Sequence, residues 1–477
     1  MKATCVIKGC FFFILIILLI PQILVQTGCA NIVPPSGGPR DSLPPVLVKA
    51  DPPDSTVNFR GNRIILQFDE YVDLQDVPAN LVVSPTPQVN PQIDVRLRTI
   101  TIRLRDSLEQ NTTYTINFGN AIRDYNESNI LKDFDYTFST GPALDSFQIQ
   151  GKVIIAETGG IDSTLIVMLH RNLEDSAVVN QKPRYVARLD RQGNYTFRNL
   201  PSGTFALYAL GDAGGSRRYL NKNQFFAFNN FPLTINKSMV APDLFAYKEA
   251  DTRTPPAGTR AVVSTDKRLR FTTNLVSNQQ SLLSDFIITF EQPLRFLDTN
   301  KISLTSDSTF NPLLASLTLD SGSKRLTVRS QWRENTRYNL IMGKDFAEDT
   351  LGRRLLKTDT LFFTTRKRTD YGDITIRLRN INAAENSVLQ FIQNNAVVFT
   401  APLNNGTYTQ QLFQTGEYEL RILYDRNKNG KWDPGQFFGN KIQPEIVLPI
   451  QRRISIRPNA DNDFEIAAPS GSPEGGG

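Results

Sequence analysis

The chain has 477 residues, with 53 lysines and arginines against 47 aspartates and glutamates, three cysteines and one histidine. A net charge of +6 without any dense run of lysine or arginine does not favour binding of nucleic acid. A single histidine, His170, and no cysteine after Cys29 give nucleophilic catalysis little support and exclude a disulfide framework beyond Cys29.

The chain begins with a pattern typical of a secretory signal. Lys2 and Lys8 precede an unbroken apolar run over residues 11 to 20, which ends at Pro21. A helix needs about 20 apolar residues to span a bilayer core, so this run is too short for a comfortable membrane anchor. Residues 1 to 28 are therefore predicted to be a signal peptide that is removed.

The residues Gln26, Thr27, Gly28 and Cys29 resemble a bacterial lipobox, in which a small residue precedes a cysteine that is acylated before cleavage. The family prefers leucine at the position of Gln26. The resemblance implies lipidation of Cys29, and two or more acyl chains give stable anchoring, so the membrane would be a partner through the lipid. The alternative is a plain signal peptide followed by an ordinary cysteine.

Residues 29 to 45 are rich in proline and glycine, a composition that forms neither a helix nor a sheet ladder and predicts an extended tether. Between this tether and a disordered tail at residues 467 to 477, apolar and polar residues alternate with period two, as in residues 100 to 105 and 374 to 379. This alternation indicates half-buried strands, and the chain is predicted to be all-β.

Two internal repeats define the architecture. Residues 111 to 140 match residues 335 to 365 after one inserted residue, and residues 193 to 212 match residues 406 to 425 without a gap. The chain therefore reads A-B-A-B, with four modules the size of a β-sandwich. The predicted limits are 46 to 142 for module A1, 144 to 250 for B1, 262 to 367 for A2 and 370 to 466 for B2.

Both A modules carry a strand with Phe-Asp or Phe-Glu, an Asn-Thr-x-Tyr strand and a closing Phe-x-Thr, and they resemble the bacterial Ig-like domain first described in S-layer proteins. Both B modules carry a G-x-Tyr strand followed by a Gly-x-aromatic-x-Leu strand, and they resemble prealbumin-like sandwiches related to carboxypeptidase regulatory domains. The combination looks like the Ig-like envelope lipoproteins of Bacteroidota. This resemblance implies modules that space, bind or brace.

One loop has the spacing of metal ligands. Asp425, Asn427 and Asn429 alternate before Gly430, as at the start of an EF-hand calcium loop, and Asp433 could add a ligand. The twelfth position is glutamine, so any calcium would bind weakly, with a dissociation constant of roughly 10⁻⁴ to 10⁻³ M. The alternative is an Asx-rich turn whose side chains cap backbone amides, and no other cofactor is indicated.

Two further features have alternative interpretations. His170 lies in an apolar strand, where an edge or rim position is favoured over a general base. The dense aromatic run at residues 225 to 231 could form an exposed sugar-binding patch, but a core position is favoured.

The preferred hypothesis is a non-enzymatic, lipid-anchored protein of the outer membrane that binds or scaffolds an envelope protein or polysaccharide. Ala30, by resemblance, favours the outer membrane, and the absence of acidic residues just after Cys29 favours its periplasmic side. One alternative is a surface glycan-binding lipoprotein with exposed aromatic side chains on the loops of the B modules. Another is a carboxylate-based hydrolase with two close acids in a cleft between modules.

Overall fold

The structure is a computed structural model that describes residues 40–249, 268–306, 311–381 and 386–469. Cys29, the signal peptide and most of the tether and tail lie outside the described residues. Among the described residues, no helix has both the length and the apolar character needed to span a bilayer.

The prediction of an all-β chain is confirmed. The helices in the described ranges are two single turns, α1 (Val77–Asn80) and α2 (Ala177–Asn180), and two 3-10 turns at Thr299–Lys301 and Arg368–Asp370. All other regular structure in those ranges is β-strand, in several separate open sheets, as expected for tandem β-sandwich modules.

Module A1 encloses its own core between two sheets. One sheet has the order β1-β2-β6-β5 and the other β4-β7-β9, while β3 and β8 pair by themselves. Alternation along β2 directs Ile64, Leu66 and Phe68 into the core, where each is at most 1% exposed. Its strands are β1 (Leu47–Asp51), β2 (Arg63–Phe68), β3 (Val72–Leu74), β4 (Val82–Ser84), β5 (Gln92–Arg96), β6 (Thr99–Arg103), β7 (Thr113–Asn117), β8 (Ile122–Asp124) and β9 (Asp135–Ser139).

Module B1 has one sheet in the order β13-β10-β17, with β18 parallel to β10, and a second in the order β12-β11-β14-β15, with β16 paired to β14. Its core is formed by side chains from the segment that runs from Ile149 to Ala246. Its strands are β10 (Phe147–Ile155), β11 (Leu165–His170), β12 (Tyr185–Arg188), β13 (Asn194–Leu200), β14 (Gly203–Gly211), β15 (Phe226–Phe228), β16 (Leu233–Ile235), β17 (Met239–Val240) and β18 (Leu244–Ala246).

Module A2 repeats the plan of A1 with sheets in the orders β19-β21-β26-β25 and β20-β29-β27-β23-β24, and β22 pairs with β28. Its strands are β19 (Phe271–Thr273), β20 (Gln279–Gln280), β21 (Phe286–Phe290), β22 (Leu294–Leu297), β23 (Ile302–Ser306), β24 (Asn311–Pro312), β25 (Ser316–Leu319), β26 (Arg325–Arg329), β27 (Arg337–Met342), β28 (Ala347–Asp349) and β29 (Asp359–Thr365).

Module B2 repeats B1, with sheets in the orders β33-β30-β36 and β32-β31-β34-β35. Its core is separate from the cores of the other three modules and is formed by side chains from the segment that runs from Ile374 to Ala468. Its strands are β30 (Tyr371–Arg379), β31 (Ser387–Gln393), β32 (Ala396–Pro402), β33 (Thr407–Gln414), β34 (Gly416–Tyr424), β35 (Ile446–Ile456) and β36 (Asp461–Ala467).

The glycine that opens the repeated B-module motif has a backbone role. Gly193 and Gly406 have φ of +81° and +74°. A Cβ atom would lie 2.7 Å from the carbonyl oxygen of Val153 in the first copy and 2.9 Å from that of Leu378 in the second. Only glycine fits this close approach and this dihedral angle without strain.

Candidate functional site

Modules A1 and B1 are joined along the edge strand β12. Arg184, just before β12, forms a bidentate ion pair with Glu109 of A1, with Nη2 2.7 Å from Oε2. The hydrogen bond from Arg184 is the main cause that lowers the pKa of Glu109. The amide of Thr86 donates to the carbonyl oxygen of Arg184 at 2.8 Å, and at the edge of the other sheet the side-chain amide of Asn199 in β13 donates to Thr115 Oγ1 at 3.0 Å. Polar contacts of A1 thus lie at both edges.

A cleft of about 600 Å³ lies beside this contact, where the hydrolase alternative predicts close acids. Asp135 accepts a hydrogen bond from Asn117 Nδ2 at 2.5 Å and lies 3.7 Å from Arg198, and burial raises its pKa. Burial also pushes the pKa of Asp190 upward, but hydrogen bonds, led by those from Asn194, outweigh it and lower the pKa. Asp135 and Asp190 are thus bound by structural partners, and Asp133 is the third acid that lines the cleft.

His170 is buried at the end of the interior strand β11, so the expected edge or rim position is wrong. Its ring is 2% exposed and meets the ring of Tyr208 edge-on, with centroids 5.6 Å apart. Nε2 has no hydrogen-bond partner among the described residues, and burial lowers the pKa of His170 to about 4. The strand β11 is apolar along its length because both faces of its sheet are covered, with Leu169 in the core of B1 and Met168 in a second buried cluster on the other face.

His170 is expected to make module B1 sensitive to acid. An unfolded histidine titrates near pH 6.5, so as the pH falls the unfolded state takes up the proton first. The stabilisation is complete above about pH 6.5 and about 3 kcal/mol of it is lost as the pH falls to about 4. Urea unfolding of the full chain, with peptides of B1 followed by hydrogen exchange, measures this loss. His170→Phe keeps a ring without a titrating group, and an equal loss in that variant would contradict the prediction.

The aromatic run at residues 225 to 231 is divided between two environments. Phe226 and Phe228 are at most 2% exposed, so the prediction that they are buried holds. They belong to a cluster on the outer face of the β11-β14-β15 sheet, outside the core of B1. Phe231 is 64% exposed. The buried phenylalanines are therefore covered by another module.

That other module is B2, which inserts Phe437 into the aromatic face of B1. The ring centroid of Phe437 lies 5.0 Å from that of Phe226 and 5.1 Å from that of Phe228. Its backbone amide donates to Glu249 Oε1 at 3.1 Å, and Gln443 Nε2 donates to the carbonyl oxygen of Phe228 at 2.9 Å. Phe437 is 1% exposed, so the two B modules share a dry contact with hydrogen bonds at its border.

The predicted calcium loop follows β34 directly. Asp425 is 2% exposed, and its two oxygens accept hydrogen bonds from the amides of Asn429, at 3.2 Å, and Gly430, at 2.7 Å. Asn427 Oδ1 accepts from the same Asn429 amide at 3.1 Å. These bonds are those of the Asx-rich turn, the alternative to a metal site.

The remaining predicted ligand, Asp433, accepts hydrogen bonds from the side-chain amides of Asn427, at 2.7 Å, and Asn429, at 2.6 Å. Glu445 accepts from the amide of Asp433 at 3.1 Å, and burial, then Asp425 and Asp433, raise the pKa of Glu445. Calcium would require both asparagine amides to turn their oxygens inward. Within the described ranges, no group of three or more histidine, cysteine, aspartate or glutamate residues is placed to hold a metal ion.

We expect Asp425→Ala to cost about 1 to 3 kcal/mol in module B2, because the amide of Gly430 loses its acceptor while that of Asn429 keeps Asn427 Oδ1. Hydrogen exchange of peptides from β34 and β35 measures the cost, and Lys428→Ala is the control in the same loop.

Calcium binding at this loop stays a prediction with its own test. At a dissociation constant of about 1 mM, about 10 mM calcium would stabilise the native chain by about 1.4 kcal/mol. No stabilisation by calcium would remove the metal proposal.

Sequence reasoning missed Phe437 and Glu445. Two adjacent aromatics, Phe437 and Phe438, follow the Asx-rich turn in a segment without strand alternation, and an apolar pair in a loop is a usable signal for an interface. Glu445 carries no local signal, because it approaches Asp433 only after the chain turns back.

Comparison with known proteins identifies the first module. Residues 41–140 match the family model of the bacterial Ig-like domain. The resemblance predicted for A1 is thus confirmed. No curated protein matches the chain.

The chain is also similar to several solved structures at low identity. It matches the Bacillus anthracis TIE protein at 10% identity, covering 91% of this chain and 75% of that one, with a TM-score of 0.16. The major pilin subunit BcpA of Bacillus cereus matches at 9% identity over 68% of this chain and 98% of that one, with a TM-score of 0.16. The surface layer protein SbsC matches at 10% identity over 87% and 68%, with a TM-score of 0.17. Scores this low carry no argument about function.

Each A module has an aspartate at the end of the short strand that pairs with β3 or β22. In A1, Asp124 at the end of β8 accepts hydrogen bonds from the amides of Glu127, Ser128 and Asn129, at 2.5 to 2.8 Å. In A2, Asp349 ends the equivalent strand β28 and is 1% exposed. The acid in each repeat shapes a turn within its own module.

Proposed function

We propose that this protein is a non-enzymatic, lipid-anchored scaffold of the cell envelope. The observation that carries the proposal is the contact between B1 and B2, in which Phe437 fills the aromatic face of B1. The dense aromatics that could have bound a ligand instead hold modules together, and the bidentate Arg184 and Glu109 pair joins A1 to B1. Such contacts suit a protein that keeps its modules at fixed relative positions.

The anchor in this proposal is Cys29, on the strength of its lipobox-like sequence. A lipid at that residue, followed by a tether rich in proline, would hold the Ig-like module A1 near the bilayer surface. Ala30 supports the outer membrane, with its periplasmic side preferred over the cell surface.

Lipidation is tested in the native organism by labelling with an alkyne fatty acid and by membrane fractionation. The proposal expects label on the wild type, no label on Cys29→Ser, and transfer of that variant to the soluble fraction. A wild-type protein without label and without membrane association would overturn the anchor. Protease treatment of intact cells tests the side of the membrane, because a periplasmic protein resists digestion.

A second candidate, glycan binding, is supported by a pair of exposed tyrosines on A1. Tyr71 and Tyr125 are 47% and 70% exposed, and the amide of Tyr125 donates to the carbonyl oxygen of Tyr71 at 2.9 Å. Arg98 lies over the Tyr71 ring, 5.4 Å from its centroid. Retardation on polysaccharide affinity gels that is lost in Tyr71→Ala would support this function on A1, and loss in Phe231→Ala would instead place it on the predicted loop of a B module. Equal mobility with and without polysaccharide would remove it.

A further inference from the structure

The two B modules allow an internal comparison of one sheet edge. In B1, Tyr185 of β12 lies opposite Leu169, and in B2, Phe399 of β32 lies opposite Phe391. The sheet orders β12-β11-β14-β15 and β32-β31-β34-β35 place both strands at the same edge. Strands β12 and β32 are therefore equivalent, and any difference in their surroundings arises from what covers them.

The equivalent edges differ sharply in exposure. In B1, Tyr185 is 3% exposed in the module's own core, and A1 contacts the strand through Arg184, whose carbonyl oxygen accepts from the amide of Thr86 and whose side chain pairs with Glu109. In B2, Val397, Val398 and Phe399 are 47%, 49% and 37% exposed. The described residues of A2 leave β32 uncovered, so an apolar edge is open to solvent in one chain.

The polar residues that hold A1 on B1 are replaced by apolar ones in B2. Val398 precedes Phe399 as Arg184 precedes Tyr185, so valine stands where B1 has the interface arginine. Leu412 stands at the repeat position of Asn199, and both have a left-handed φ, of +54° and +55°. Asparagine tolerates this conformation, whereas leucine adopts it at a cost. Leu412 is half-buried and lies at the same register shift of its sheet as Asn199, so the exposed apolar surface of this region is mainly that of the β32 side chains.

The composition of the β32 edge indicates which kind of partner could bind there, an added strand or a folded module. Residues 394 to 404 contain no charged side chain, although charges normally protect an exposed edge strand from pairing. Pro402 and the register shift opposite Phe391 and Ile392 interrupt a continuous ladder, so an added strand fits poorly. Apolar side-chain packing by a folded module fits better, because B2 has valine where B1 pairs through Arg184.

Module A2 carries the matching face. Asn199 of B1 reaches Thr137 Oγ1 of A1 at 3.4 Å. The repeat position of Thr137 in A2 is Phe362, which is 58% exposed. In its own chain, A2 is held at another part of B2, where the hydroxyl of Tyr371 accepts a hydrogen bond from the amide of Leu282 at 2.7 Å and bonds Ser281 Oγ at 3.0 Å. The complementary A2 face must therefore come from another molecule.

We propose that the edge surface of B2, formed by Val397, Val398, Phe399 and Leu412, is the docking site for a second copy of this chain. The face of A2 that carries Phe362 in that copy covers the edge surface, as A1 covers β12 within one chain. Two chains related by a twofold axis can each cover the exposed edge surface of the other in this way. The inference goes beyond the scaffold function and does not depend on the lipid anchor.

Disulfide trapping tests the docking directly, because the full chain can be freed of cysteine by replacing Cys5, Cys10 and Cys29 with serine. One such chain carries Val398→Cys, another carries Phe362→Cys, and the two are mixed in mild detergent under weak oxidation. We expect a disulfide-linked pair with one chain of each kind. Leu314→Cys, at a side chain 97% exposed elsewhere on A2, is the control partner, and it should yield at least about tenfold less product.

Sedimentation measures the same contact without cysteine. Val398→Lys should weaken self-association at least about tenfold, and the exposed side chain allows the variant to fold. A chain that stays monomeric at about 100 μM would overturn the proposal. So would equal trapping by the Leu314→Cys control, or a chain with both Val398→Cys and Phe362→Cys that closes on itself at high dilution, since A2 would then cover the edge of its own B2.

Discussion

Replacing Phe437 by alanine is expected to separate modules B1 and B2. The ring is 1% exposed and packs edge-on or tilted against a face that includes Tyr208, Phe226 and Phe228. Removing a buried phenylalanine ring costs about 3 to 5 kcal/mol, and the cost here falls on the contact between modules. The aromatic face of B1 would become exposed, while the core of each module stays intact.

Hydrogen exchange of peptides that contain β15 measures this effect, together with binding of a dye that reports exposed apolar surface. The matched control is Phe438→Ala, the neighbouring ring, which is 39% exposed and should cost about 1 kcal/mol or less. Unchanged exchange in β15 and no added dye binding in Phe437→Ala would show that this contact does not hold the B modules together.

Replacing Asp349 by alanine is expected to destabilise module A2 by about 3 to 5 kcal/mol. Asp349 Oδ1 accepts hydrogen bonds from the amides of Leu351, at 3.0 Å, and Arg353, at 2.9 Å. Its Oδ2 lies 2.7 Å from Nε of Arg353, whose side chain is 6% exposed. The variant leaves a buried guanidinium with only the longer 3.5 Å contact to Glu291.

Hydrogen exchange in β27 and β29 checks this prediction, because a loss of about 3 kcal/mol raises exchange through unfolding of A2 by about a hundredfold. Asp345→Ala is the control, since Asp345 lies just before β28 with its side chain 52% exposed and 3.8 Å from Arg354. An exposed pair of this kind contributes at most about 1 kcal/mol. Similar exchange in the two variants would mean that the buried pair does not stabilise A2.

The repeat and the β class were predictable from the sequence because both rest on local signals. Alternation along a strand such as β2 fixes which face is buried, and the glycines at Gly193 and Gly406 serve the same close approach in both B modules. The Asx-rich turn could also be recognised in the sequence. In the structure Asp425 accepts hydrogen bonds from backbone amides of this turn, which is the arrangement that the alternative to a metal site predicts. The position of His170 was misjudged, because a strand's place within a sheet is not encoded in its own residues.

The sequence by itself determined that this chain is a series of strand-built modules, since period-two alternation and turn residues act over a few neighbouring positions. Only the tertiary structure decided which apolar faces are covered. Phe226 is buried by Phe437, a residue more than 200 positions later in the chain, whereas Val398 stays open although its counterpart edge in B1 is covered. Contacts between modules depend on the relative placement of whole sheets, and that placement leaves no local pattern in either strand.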